Sequence, residues 1–279
     1  MTICIAAICE GGKDVVVAVD RMFTVGPPLN VEFEPPVSKI DRIGPTCVAL
    51  ASGNSLYANE VISRGRLKLG PAPCAPVIQV ASTVKEEYAL FRDEKIEETL
   101  VRASFGLDFE SFRAKGGTLP AYLQPQPMIY GQMVVRADQF NLTLDLIIAG
   151  TDTSTGHIFS VAHPGTLYNF DKLGYNAIGS GAVHAVIALS LGRQTPQSSL
   201  ENTLFSVYSA KRSAEVAPGV GKETEMAVIS SGEIQMCSDA LMGALEKIYN
   251  ERGQVQQAPP ELGDVRKVYD RQREAGAVH

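Results

Sequence analysis

With 279 residues, 45% of them hydrophobic and 20% charged, the chain has ample apolar material for a core, and its length allows one large domain or two small ones. A formal net charge of −6 argues against a nucleic-acid binder, which would carry a basic excess or stripe. No apolar run approaches the roughly 20 residues a membrane-spanning helix needs, and the first residues are not expected to act as a signal peptide, because Glu10, Lys13 and Asp14 interrupt the apolar stretch.

Residues 2–9 and 15–20 are apolar, β-branched runs around the turn Glu10-Gly11-Gly12-Lys13-Asp14. They predict a hairpin, and because both runs are apolar on both faces, one sandwiched between layers. A Pro-rich loop (Pro27, Pro28, Pro35, Pro36) precedes a second hairpin, Val37 to Ile43 and Cys47 to Ala51, turning at Gly44-Pro45. From Asn54 the pattern turns helical through Leu56, Val61 and Ile62 and breaks at Gly70-Pro71. A longer helix starts near Pro76, with Val77, Val80, Ala81, Val84, Tyr88 and Phe91 three and four residues apart. Residues 104–127 hold several Gly and Pro and read as an insertion or lid.

Strands are predicted at Met128–Ala137, Leu142–Ala149 and around His157–Ala162. Gly179-Ser180-Gly181 then opens a helix whose apolar residues include Val183, Val186, Ile187 and Leu191, and a further helix covers about Ser199–Val216. A strand Glu225–Ser230, its hairpin partner Glu233–Cys237 and a helix Asp239–Tyr249 follow, and residues 251–279 read as a polar, mobile tail. Clustered strands followed by clustered helices do not suit alternating βαβ winding. They predict an α+β fold over residues 1–250: two packed antiparallel sheets with a helical layer outside each, a four-layer αββα sandwich.

The five cysteines are odd in number, scattered and free of any CxxC pair, which suits a reducing cytoplasm better than a disulfide framework or a zinc site. Four dispersed histidines predict no metal site, and no cofactor is expected.

Several stretches together resemble the proteasome β subunits and their bacterial relatives, which are N-terminal nucleophile (Ntn) hydrolases. They are Thr2 at the start, Val17-Ala18-Val19-Asp20-Arg21, Ser38-Lys39-Ile40, Ala51-Ser52-Gly53, Leu146 through Asp152, Pro164 through Leu167, and Ala177-Ile178-Gly179-Ser180-Gly181. Each is weak alone; their order and spacing over residues 2–250 carry the resemblance. It implies an Ntn fold and a threonine peptidase in which Thr2, after loss of Met1, is the nucleophile. A threonine hydroxyl needs an adjacent base, and in this family the base is the residue's own α-amine, whose ordinary pKa of about 7.7–8.0 suits neutral pH. Lys39 stands where the family's lysine lowers that pKa further, and Asp20 where an aspartate holds the lysine. The resemblance also makes the Gly53 amide the oxyanion donor, Ser180 a partner of the terminal amine, and Ala51 the floor of the first substrate pocket. A small apolar floor implies cleavage after apolar or aromatic residues.

The sequence departs from the family pattern after the helix ending near Val216. The loop reads Glu215-Val216-Ala217-Pro218-Gly219, so Glu215 takes the aspartate position and Pro218 offers no hydroxyl. Singly, the same residues have plainer readings: Asp20 and Lys39 as a structural ion pair, Gly179-Ser180-Gly181 as a turn and helix cap, Ala51 as a core residue. The implied partners are further copies of the chain in a ring or other closed homo-oligomer joined through helices of residues 54–103, an ATP-dependent unfoldase, and unfolded polypeptide. Two other readings stay open: a silent assembly subunit, and an Ntn amidase for a small molecule with residues 104–127 closing its pocket.

Overall fold

Strands β1 (Ile3–Cys9) and β2 (Asp14–Asp20) pair antiparallel, Cys4 opposite Val19 through Cys9 opposite Asp14. All of β1 is buried, as is β2 beyond Asp14, which the two-sided apolar pattern requires. The computed structural model describes residues 2–25, 31–35, 37–70, 75–114, 127–153, 155–230 and 233–252. Pro27, Pro28, Pro36, Pro71, residues 115–126 of the expected insertion and tail residues 253–279 lie outside them, as does Met1.

β1 also pairs with β10 (Tyr175–Gly179), and β2 with β11 (Thr224–Ser230), whose other partner is β12 (Glu233–Met236). The sheet order is β10-β1-β2-β11-β12, antiparallel throughout. A second antiparallel sheet runs β5 (Ile40–Gly44), β6 (Cys47–Gly53), β7 (Leu144–Asp152), β8 (Thr155–Ala162) and β9 (Thr166–Asn169). The sheets share a core: Cys4, Ala6, Val15 and Val17 of the first meet Val48, Leu50, Ile147 and Ile158 of the second. Alternate residues of the second sheet, Ala49, Leu144, Leu146 and Phe159, pack instead with α1 (Ser55–Leu69) and α2 (Val77–Ile96). α7 (Leu200–Ala214) packs on β1 and β2, and α6 (Ala182–Leu191) on β10 and β1. The chain is thus a mixed α/β protein with two antiparallel sheets and packed helices.

Two expectations need correction. Residues 128–137 are not a strand but part of helix α5 (Pro127–Gln139). Met133 and Ala137 are buried four apart, with Tyr130 and Val134 packed beside them, so the apolar period is helical; the pair Val134-Val135 mimics a strand signal. The helical segment also starts earlier than residue 104. α2 runs into a π-helical turn Glu97–Val101, then α3 (Arg102–Phe105) and α4 (Phe109–Arg113). Ile96, Val101, Phe109, Phe112, Met133 and Ala137 form a small core of its own. Arg92, buried in α2, joins this segment to the body by donating to the carbonyls of Ala137 (2.8 Å) and Phe140 (2.9 Å).

The first compact unit closes at Cys237. Helix α8 (Asp239–Arg252) belongs to a second, and Met242 N–H donates to the Ser238 carbonyl at its start. Two short strands, β3 (Phe23–Val25) and β4 (Val31–Phe33), form an antiparallel ribbon inside what reads from sequence as a Pro-rich loop. Among the described residues no helix is long and apolar enough to cross a membrane.

Candidate active site

Thr2 precedes β1 and Asp20 ends β2, so the hairpin register that sets Cys4 opposite Val19 brings their side chains together at one sheet end. Both are buried, Asp20 completely. Thr2 Oγ1 donates to Asp20 Oδ1. Lys39, just before β5, donates from Nζ to Thr2 Oγ1 at 2.8 Å, to Asp20 Oδ1 at 3.2 Å and to the Met22 carbonyl. Phe23 of β3 places its ring centroid 4.8 Å from the same Nζ.

Asp20 is held by backbone as well as by side chains. Its Oδ1 accepts from Ile3 N–H (3.0 Å), and its Oδ2 from Gly221 N–H (2.9 Å) and Met22 N–H (3.3 Å). A fully buried carboxylate is tolerable only with such compensation. Behind it, the fully buried Lys211 of α7 donates to Glu215 Oε1 (2.7 Å) and to the Lys222 carbonyl (2.6 Å). Burial pushes the Lys211 ammonium below its ordinary value, while Glu215 pulls it back up. Glu215 also lies 3.1 Å from Arg212 Nε, so it anchors the loop leading to Gly221 and forms no bond to Thr2.

Ser180 donates to the Thr2 carbonyl at 3.5 Å and to the Pro218 carbonyl at 3.1 Å, whereas the resemblance implied the terminal amine as its partner. Gly179, opposite Ile3, has φ +109°, and a methyl there would collide with the Thr2 carbonyl; only glycine lets β10 approach this closely. Gly53 ends β6 at φ +108°, where a Cβ would strike the Thr143 carbonyl. Asn54 then caps α1 by accepting from the N–H groups of Leu56 (3.1 Å) and Tyr57 (3.3 Å). Beneath the site, the buried Cys4 donates its thiol to the Ala51 carbonyl at 3.3 Å, and burial pushes that thiol well above its ordinary range.

Thr2 and Lys39 open onto a cleft of about 500 Å³, which Ala51, Ser52 and Gly53 also line. Phe23 and Phe33, stacked with centroids 6.1 Å apart, form the ribbon's contribution to its wall. Among the described residues, no group of three or more His, Cys, Asp or Glu stands together as a metal site would require. Thr2, Asp20 and Lys39 are therefore in mutual contact, Ser180 reaches only the Thr2 backbone, Ala51 and Gly53 share the cleft, and Glu215 stands apart. Sequence reasoning missed the Met22 carbonyl, the Gly221 and Ile3 N–H groups and the Phe23 ring. Backbone groups carry no residue signature; Phe23 and Phe33, flanking prolines, were the one available clue. No protein-family model matches the chain, and neither does any curated protein sequence.

Proposed function

We propose that this chain is a threonine-type peptidase with an Ntn hydrolase fold, in which Thr2 heads the mature chain and attacks peptide carbonyls. One observation carries the reading: a buried threonine hydroxyl lies in hydrogen bonds with both a lysine ammonium and a fully buried aspartate. Without the hydroxyl between them, Lys39 and Asp20 would be a structural ion pair. Together on one hydroxyl, the cation lowers the cost of building negative charge on Oγ1, and the carboxylate holds the cation there.

In the proposed step, Thr2 Oγ1 bonds to the carbonyl carbon and its proton passes to the freed Thr2 amine. The tetrahedral oxygen takes a hydrogen bond from the Gly53 amide. The C–N bond breaks as the departing amine receives that proton, leaving an ester on Thr2. Water, deprotonated by the same amine, hydrolyses the ester and restores the hydroxyl. Ser180 keeps the Thr2 backbone in place, and Ala51 forms part of the pocket wall.

The two sheets with α1 and α2 on one side and α6 and α7 on the other support the αββα sandwich. Self-association into a closed homo-oligomer, feeding by an ATP-dependent unfoldase, unfolded polypeptide as substrate and a cytoplasmic setting belong to the same proposal. On α1 and α2, the helices expected to serve assembly, Val61, Tyr88 and Phe91 are buried within the chain, while Leu56, Leu67, Ile78 and Leu90 are exposed and support contact there. A stripe on α6, Val183, Ile187 and Leu191, is exposed at four-residue spacing and supports a second contact. Among the described residues, none from 102–114 lines the cleft. The deciding experiment combines intact mass with Thr2→Ala. We expect a mass lacking Met1, peptide turnover in the purified chain, and a fall of at least about 10³-fold in the variant, with circular dichroism unchanged. Unchanged turnover in Thr2→Ala sinks the reading, and a fully retained Met1 points to the silent assembly subunit.

A further inference from the structure

The cleft beside Thr2 has apolar walls and one carboxylate that the chemistry above does not use. Phe23, Phe33, Val37, Ala51 and Ala58 supply the walls. Lys39 lines the cleft too, but its ammonium is already engaged by Thr2, Asp20 and the Met22 carbonyl. Asp41 is different. Among the described residues its carboxylate accepts no hydrogen bond, and the one cation near it, Arg66 Nη2, lies 3.8 Å away. That same Nη2 donates to the Arg42 carbonyl at 2.9 Å, so the guanidinium is held elsewhere. Both side chains of the pair are more than a third exposed, a setting in which ion pairs contribute little. Burial against the cleft raises the Asp41 carboxyl above its usual range, and Arg66 only partly offsets this. A second cation arriving in the cleft would meet an anion short of compensation.

We propose that Asp41 makes this cleft selective for a basic side chain, lysine or arginine, on the acyl side of the cleaved bond. The inference rests on the threonine-peptidase reading and names its substrate class. Lys39 and Asp41 are two residues apart and both line the cleft, so in extended chain their backbones are separated by about 6–7 Å. A substrate whose carbonyl sits at Thr2 beside Lys39 therefore meets Asp41 one long side chain further in. The methylene stem of lysine or arginine runs along Phe33, Val37 and Ala58, and the charged head reaches the carboxylate. Ala51 and Ala58 leave room for that length. An acidic side chain would face like charge. Ala51 alone predicts apolar or aromatic specificity; Asp41 in the same cleft converts the deep apolar slot into one with an anionic end.

The test uses the full chain and three fluorogenic peptides identical except for Arg, Leu or Glu before the cleaved amide. The wild type is expected to favour Arg over Leu by at least about tenfold in kcat/KM, because a hydrogen bond to a charged group is worth at least that factor. Asp41→Asn, which keeps the shape and removes the charge, should bring the ratio close to one. A preference for Leu or Glu in the wild type, or an Arg-to-Leu ratio unchanged in Asp41→Asn, overturns the inference while leaving the peptidase reading intact. Fluorescence anisotropy of the Thr2→Ala variant with the same Arg and Leu peptides separates the two failures. Tighter Arg binding by this variant, beside a wild type that cleaves none of the peptides, would sink the peptidase reading and keep the selectivity. Equal binding together with equal cleavage would sink the selectivity, and Asp41 would then be one half of a surface pair with Arg66.

Discussion

Asp20 accepts hydrogen bonds from Ile3 and from Gly221, 201 positions further along the chain, whereas the helical insertion closes its core on residues 96–137. The first region exists only when β1, β2, β10 and β11 are all in register; the second is assembled from neighbours in sequence. A one-residue slip of β1 against β2 would turn Thr2 away from Asp20, since successive side chains point to opposite faces. The core of the helical segment depends on no such strand register. The candidate site thus sits where long-range pairing is strictest, and the helical segment rests on local contacts.

The sharpest way to separate the regions is Lys39→Ala. Asp20 would keep its bonds from Ile3, Met22 and Gly221, so the fold should persist while peptide hydrolysis falls by about 10²–10⁴-fold. Steady-state kinetics beside a thermal melt checks this, and a near-full rate would make Lys39 a structural cation only. Phe112→Ala probes the other side. Phe112 is almost fully buried and stacks near Phe105 and Phe109, so its loss should cost about 3–5 kcal/mol. Hydrogen exchange should then rise in α4 and α5 and stay slow in β1 and β2. Equal loss of protection in both would show that the insertion and the sheets form one cooperative unit.

The smallest effect is expected from Lys211→Met, behind the site. Leaving the Lys222 carbonyl unpaired, and Glu215 to Arg212 alone, should cost about 1–3 kcal/mol at neutral pH. The pH dependence has a definite sign. Because the folded-state value of Lys211 lies below its ordinary 10.5, folding releases a proton between the two values, and the penalty fades as pH rises through that window. Urea unfolding of both proteins from pH 7 to 10.5 should show the wild type gaining stability relative to Lys211→Met. A flat difference would mean that the lysine stays as protonated folded as unfolded.

Most of the strand and helix order, though not β9 or β10, the two apolar-faced hairpin strands and the candidate residues Thr2, Asp20, Lys39, Ser180 and Gly53 were legible in the sequence. Alternation, turn residues and helical spacing are local signals, and they survive into the fold wherever burial agrees with them. They failed at residues 128–137, where the β-branched pair Val134-Val135 hid a helical period. They also failed at the ribbon of β3 and β4, where prolines outweighed two short strands. The sequence could nominate Glu215 for the site but could not show that the buried Lys211 and Arg212 hold it elsewhere. Nor could it reveal that Asp41 shares a cleft with Thr2 while its one nearby cation is bonded to another group. Which backbone N–H reaches a carboxylate, and which charges are left uncompensated, depend on distances between segments far apart in the chain. Those distances are set only when both sheets have paired and packed, so tertiary structure alone decided them.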